Sequence, residues 1–331
     1  MGIMEIEVVS GINENPKISL AIPLSQLDSL RLTAYLFFRI SKSRHSSELG
    51  KIMSKIEKGE IRLIVSSPFF LESIEDSGSN YEYFFPVNFG FFCYYSDKFK
   101  NSKGEIPTKE LKKVRYFPIL NSKYYSYDFV RQMRDKEKGK FEEGPFFRVR
   151  NVIDRKEFKS KNVYTVENYF VSPFRFIVLT NDPNLESILK SALFEENRTH
   201  FLGKRISIGF GRVKFRLDNK FEIELGKRNL RIEEKVEKDV PYYLFNRIPI
   251  TENIANSLNL EKSCYEIVKV SGYLVKDDAL VGRSMICLRE GSILVFKEDL
   301  ELKNEIFKLS RKESKKEYFL PFAPALIRMV V

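Results

Sequence analysis

The sequence predicts an α+β fold of two ferredoxin-like (RRM-like) units with inserted loops and a projecting β-hairpin. Three observations predict it. Strand-like apolar runs and two stretches of helical spacing follow one another as β-α-β-β-α-β; two β-prone runs flank a basic turn; and a shorter set of strand-like runs fills the last third of the chain.

Lys17–Ile22 is a short apolar run and the expected first strand. Leu24–Ile40 places Leu27, Leu30, Ala34, Phe37 and Phe38 at roughly helical spacing, with Asp28 and Ser29 suited to its N-terminus. Ser46–Lys58 is a second helical stretch, closed by Gly59. Ile61–Leu71 reads as a strand that ends near Pro68, and the aromatic Tyr81–Tyr95 as a further extended segment. Residues 96–143 have mixed charge and weak periodicity, which predicts an insertion of loops and some helix. Arg148–Phe170 reads as a hairpin around the basic turn Arg155–Asn162. Phe174–Thr180 is a strand, Asn184–Glu195 a helix with Leu185, Ile188, Leu189 and Leu193 on one face, and Ile206–Leu217 a strand entered through glycines.

These elements form one unit over residues 1–220. A smaller unit of similar kind follows over 221–331, with strand-like runs at Tyr242–Ile250, Cys264–Val275, Ser284–Phe296 and Tyr318–Val331 and a helix at Thr251–Leu258. No Gly/Ser-rich linker separates the units, so they are expected to pack directly against each other.

The chain has 331 residues, 43% of them hydrophobic, which is ample for real cores and excludes a wholly disordered chain. Its cysteines, Cys93, Cys264 and Cys287, contain no CxxC pair and predict neither a disulfide framework nor a cysteine zinc site. No basic segment with a following apolar run opens the sequence, and no uncharged apolar run reaches membrane-spanning length. A soluble, cytoplasmic protein is the expectation.

Positive charge is concentrated. Of the formal net charge of +11, the stretch Lys98–Lys161 holds 19 Lys/Arg against nine Asp/Glu, or 19 − 9 = +10. A second basic stretch, Phe201–Arg216, carries Lys204, Arg205, Arg212, Lys214 and Arg216 with no acidic residue. Focused charge of this kind points to a polyanion, and nucleic acid is the commonest one.

Three constellations bear on chemistry. In FLGKRISIGFGRVKF (Phe201–Phe215), Gly203, Gly209 and Gly211 allow positive φ and close backbone approach to a ligand. Lys204, Arg205 and Arg212 bring charge to phosphates, with Ser207 among them; the spacing fits neither a Walker A loop nor a dinucleotide fingerprint. In RVRNVIDRKEFKSKN (Arg148–Asn162), Arg148, Arg150 and Arg155 alternate with apolar residues beside Asn151, as in a basic hairpin that lies in a nucleic-acid groove. Asp154 there either fixes the turn or pairs with an arginine, rather than serving as a catalytic carboxylate. Only two histidines exist: His45, in a polar loop after the first helix, and His200, which precedes the glycine loop and is a candidate for stacking on RNA. No catalytic set and no metal set is visible, and no cofactor motif is present.

The order of these segments resembles the RAMP superfamily of CRISPR proteins. Leu27-Asp28-Ser29-Leu30, Ile64–Phe70 (IVSSPFF) with Phe84-Phe85-Pro86, Arg150–Arg155 (RNVIDR), Gly203–Val213 and Glu290-Gly291-Ser292 carry the likeness across most of the chain. Within the superfamily it looks like the subunit of type III-A (Csm-type) effector complexes that caps the guide RNA at its 5′ handle. The resemblance implies a non-catalytic, cofactor-free RNA-binding scaffold in a ribonucleoprotein complex of antiviral defence. Its partners would be the guide RNA, the large polymerase-like subunit and a backbone RAMP subunit. Three other readings share parts of the pattern. One is the guide-RNA precursor-processing endonuclease of the same superfamily, metal-independent, for which His45 stands in a suitable place. The others are the equivalent capping subunit of a Cmr-type complex and an RNA-binding protein unrelated to CRISPR.

Overall fold

Met4, Ile6 and Val8 alternate with Glu5 and Glu7 in the segment Gly2–Ser10, and that period of two makes a strand with one apolar and one charged face, β1. The computed structural model describes residues 2–11, 17–73, 81–137, 141–154, 159–194, 199–203, 211–276, 279–311 and 314–329. After β1 come helix α1 (Ser29–Ser41), strand β2 (Leu63–Val65), strand β3 (Phe174–Thr180), helix α2 (Pro183–Phe194) and strand β4 (Arg212–Asp218). The sheet is antiparallel in the order β4-β1-β3-β2, with the short strand His200–Phe201 added at the β4 edge. The β-α-β-β-α-β order of the first unit is therefore present, with one correction. Its first strand is Gly2–Ser10, whereas Ile18–Leu20 of the expected strand pairs with the hairpin instead.

Both helices cover one face of this sheet. Leu32, Leu36 and Ile40 recur every four residues on α1, and Leu185, Ile188, Leu189, Ala192 and Leu193 line α2. They share a core with Met4, Ile6, Val8, Phe176 and Val178. Asp28 caps α1 by accepting from the Arg31 N–H at 3.0 Å.

Over β2 and β3 the opposite face is also buried, in a second core. Ile64, Ile177 and Leu179 of the sheet meet Phe69, Phe85, Phe221, Tyr243, Phe245, Ile293 and Ile327. Residues 96–143 add Phe99, Leu111, Val114, Phe117, Ile119, Tyr125 and Val130 to that same core, so this stretch is more than surface loop. Tyr81–Tyr95 is a strand only to Pro86. Asn88 then accepts from the Gly90 N–H at 2.8 Å and starts the helix Phe89–Tyr94.

In residues 221–331 the strand Pro241–Leu244 lies between Ile293–Val295 and Leu326–Arg328. Two hairpins, Ile267–Lys276 with Ala279–Leu288 and Glu305–Arg311 with Ser314–Phe322, and the helix Glu252–Ser257 accompany them. Among the described residues these strands do not assemble into one four-stranded sheet of the kind seen in the first unit.

Candidate nucleic-acid interface

The basic hairpin forms as the alternation predicts. Glu142–Asp154 pairs with Lys159–Val171 over most of its length, from Glu142↔Val171 to Asp154↔Lys159. Thirteen residues at about 3.3 Å each give arms of about 43 Å. Only the base has a third strand: Ile18–Leu20 pairs with Tyr169–Val171, and among the described residues nothing pairs with the hairpin beyond it. The base is seated by buried Phe141 and Val171, by an ion pair of Lys17 with Glu143, and by Arg115 Nη1 on Glu142 Oε1 at 2.9 Å. Arg148, Arg150 and Asn151 occupy the strand opposite Val166, Tyr164 and Val163, and Asp154 is the last residue of that strand, paired with Lys159. Arg155 lies outside the described residues.

At the glycine loop, Gly203 and Gly211 have φ of +86° and +70°. The Leu202 N–H donates to the Gly211 carbonyl at 2.9 Å, and the Gly211 N–H donates to the Ser19 carbonyl at 2.7 Å. A β-carbon on Gly211 would lie 1.8 Å from the Leu202 oxygen, so the crossing of these chains requires glycine. Lys204, Arg205, Ser207 and Gly209 lie outside the described residues. The strand expected over Ile206–Leu217 is seen from Arg212, which is exposed.

Strand Ile18–Leu20 joins the two basic stretches. Ser19 pairs with Phe170 of the hairpin and accepts from Gly211 of the loop. One short strand, whose Ile18 and Leu20 are fully buried, therefore holds the feet of both at one place.

Neither histidine stands in that place. His200 is 1% exposed, stacked on Phe215 with ring centroids 4.3 Å apart. Its Nε2–H donates to the Leu193 carbonyl at 2.9 Å, leaving Nδ1 to accept from the Tyr35 hydroxyl at 2.8 Å. Burial pushes that hydroxyl up to about 12. His200 belongs to the core, and stacking on RNA is excluded by its burial. His45 sits beside the helix Leu49–Glu57, with Nδ1 3.2 Å from Glu48 Oε1 and Nε2 3.3 Å from Ser191 Oγ. The His45 hydrogen bond, followed by that of Asn184, holds the Glu48 carboxyl below its usual value. Among the described residues no three His, Cys, Asp or Glu side chains gather as a metal-binding group, and no helix is long and apolar enough to cross a membrane.

Sequence reading missed a buried charge cluster on the face of the sheet away from the helices. Arg175 Nη1 donates to Glu5 Oε1 and Asp218 Oδ2, both at 2.7 Å, and Nη2 to Glu7 Oε1 at 2.8 Å. Glu5 also accepts from the Phe221 N–H at 2.7 Å. Burial alone would raise the Asp218 carboxyl, but the Arg175 hydrogen bond and then the Asn219 N–H outweigh it and hold it below 3.8. The stabilisation is therefore complete above that ordinary value and is lost as pH falls through the depressed one. Asp218→Asn should flatten the acid limb of urea stability measured between about pH 5 and pH 2; an unchanged acid limb would refute the role given to Arg175.

No protein-family profile matches the chain, and no curated protein matches it in sequence. Solved structures do. A chain of the Csm3-Csm4 subcomplex in the type III-A CRISPR-Cas interference complex superposes with a TM-score of 0.52 at 15% identity, covering 99% of each chain. A chain of a Csm1-Csm4 cassette in complex with pppApA gives 0.47 at 13% identity, over 99% of this chain and 98% of that one. A chain of the type III-B Cmr-beta complex bound to cognate target RNA gives 0.46 at 13%, over 88% and 86%. The first of these shows that the fold, over its whole length, is one found in a type III CRISPR complex.

Proposed function

We propose that the chain is a RAMP-type subunit of a type III CRISPR interference complex, which binds the 5′ handle of the guide RNA without cutting it and docks the large polymerase-like subunit. The observation that carries the reading is the common foot of the basic hairpin and the glycine loop on strand Ile18–Leu20, in a fold shared end to end with a subunit-complex chain. On this reading Gly203, Lys204, Arg205, Ser207, Gly209, Gly211 and Arg212 meet the handle backbone, while Arg148, Arg150, Asn151 and Arg155 lie over the RNA. Residues 1–220 form the RNA-binding unit and 221–331 a reduced unit of ferredoxin-like kind. The complex works in the cytoplasm, and the type III-A subtype is favoured over the Cmr-type equivalent.

Purification of the complex from its native host and sequencing of the bound RNA tests this. Guide RNAs sharing one 5′ end are expected; RNA without a common end, or none, overturns it. Arg148→Ser, Arg150→Ser and Arg155→Ser should each cost about 1 kcal/mol in handle affinity, as charge-assisted contacts in a partly hydrated site do. The His45–Glu48 contact supports one competing reading, the precursor-processing endonuclease. Metal-independent cleavage of repeat RNA that disappears in His45→Ala would establish that reading in place of ours.

A further inference from the structure

The strand that leaves the glycine loop carries more than the loop needs. On β4, Val213 is buried and Phe215 packs toward the helices, so the alternating residues Arg212, Lys214 and Arg216 take the other face. Arg212 and Arg216 are exposed and Lys214 is half-buried. Arg212 is paired in register with Phe201, whose ring is 40% exposed at the sheet edge. The acidic residues on this face, Glu5, Glu7 and Asp218, are all held by Arg175, at 2.7, 2.8 and 2.7 Å; Arg216 is 3.9 Å from Glu7, with its side chain 68% exposed. Arg216 thus reaches Glu7 only at long range, where Arg175 already holds that carboxylate, and most of its side chain faces solvent.

We propose that Phe201, Arg212, Lys214 and Arg216 form a single-stranded RNA track that leads from the glycine loop along the outer face of β4. The inference rests on the RNA-binding reading above and extends it to Phe201, Lys214 and Arg216, to which that reading gives no contact. Alternate residues of a strand stand about 6.8 Å apart, so the three cations form an evenly spaced row that an extended phosphate backbone can follow. Phe201 offers a ring face at the head of the row, and a ring takes any base by stacking. The track is accordingly tolerant of sequence, and it engages nucleotides beyond those held in the loop.

Fluorescence anisotropy with the full chain and oligouridylates of about 6 and about 18 nucleotides tests the track, since single-stranded sites of this kind span roughly 4–16 nucleotides. Lys214→Gln/Arg216→Gln should weaken binding of the longer oligomer about tenfold and reduce its log-log salt slope by about 1.4, the share of two phosphates. Phe201→Ala should weaken it at least about fivefold, the lower end for one stacked base. Binding of the short oligomer should stay unchanged in both variants. If the wild type binds and the variants match it at both lengths, the track is wrong while the RNA reading stands, and the face serves a protein partner or solvent. Equal losses at both lengths would place these residues in the loop site and also overturn the track. If the wild type binds neither oligomer, the RNA reading fails and the track falls with it.

Discussion

Arg247→Ala is expected to cost about 3–5 kcal/mol of folding stability, the range for removing one partner of a buried ion pair. Arg247 is 5% exposed. Its Nε and Nη2 make a fork onto Glu290, at 2.9 and 2.7 Å, and Nη1 donates to Asp28 Oδ2 at 2.9 Å. The backbone joins in, since the Arg247 N–H donates to Ser29 Oγ at 2.9 Å and Ser29 Oγ donates back to the Arg247 carbonyl at 3.0 Å. Alanine would leave Asp28 and Glu290 buried without their cation. Burial already pushes the Asp28 carboxyl above 3.8, with Arg247 and Arg31 opposing it. Without Arg247 the upward push gains, and one carboxyl takes a proton. A group raised in the folded state stabilises fully below its unfolded value and loses that contribution as pH rises through the folded one. The deficit should therefore be smaller near pH 4.5 than near pH 7.5 by about 1 kcal/mol or more, read by urea unfolding at each pH. A deficit under about 1 kcal/mol at pH 7.5 would show that the triad is not what joins the two halves of the chain. Arg247→Lys keeps the charge but loses the fork, and should fall between the two.

That triad bears on how much could be read from the sequence. The segments that carry the family likeness are largely joints of the fold. Leu27-Asp28-Ser29-Leu30 supplies the helix cap and two partners of Arg247, and Glu290-Gly291-Ser292 supplies the third partner. Gly291, at φ +86°, packs where a β-carbon would lie 2.7 Å from Val87 Cα, and Ser292 Oγ accepts from Asn88 Nδ2 at 2.9 Å. In IVSSPFF, Ser66 and Ser67 bond to the backbone of Ile177 and Phe245, and the Phe69 and Phe85 rings meet at 5.0 Å. Local pattern could not expose these roles, because the partners lie more than forty residues apart and only tertiary packing brings them together. The hairpin, by contrast, was legible, since its alternation is local and its turn is basic and polar. The central strand Gly2–Ser10 was missed because Glu5 and Glu7 break its apolar run, and the residue that satisfies them, Arg175, lies in another element. The same limit applies to Phe201, Lys214 and Arg216. The charge of Lys214 and Arg216 was visible in the sequence, but the face they share with Phe201 appears only once β4 is paired.

Gly211→Ala is expected to cost about 3 kcal/mol or more, because two effects add at one residue. A non-glycine residue at positive φ costs about 1–2 kcal/mol, and Gly211 has φ +70°. The new β-carbon would also lie 1.8 Å from the Leu202 oxygen, a backbone atom that no rotamer can move aside. Relief requires one chain to shift, and Gly211 is tied on both sides, to Leu202 and to Ser19, by hydrogen bonds worth about 0.5–1.5 kcal/mol each. Gly203 is the internal control. It shares the positive φ, but the nearest atom to its added β-carbon is Ile22 Cγ1 at 3.3 Å, so Gly203→Ala should cost about 1–2 kcal/mol. Urea unfolding of the two variants reads the difference, and equal costs would mean that the crossing at Leu202 adapts freely. RNA affinity then separates scaffold from contact. Gly211 ties the loop to Ser19 and through it to the hairpin, so Gly211→Ala should lose stability and affinity together. Lys204→Ser/Arg205→Ser should lose affinity while the unfolding curve stays in place. If the cation variants bind as the wild type does, the loop anchors the fold and the handle is gripped elsewhere.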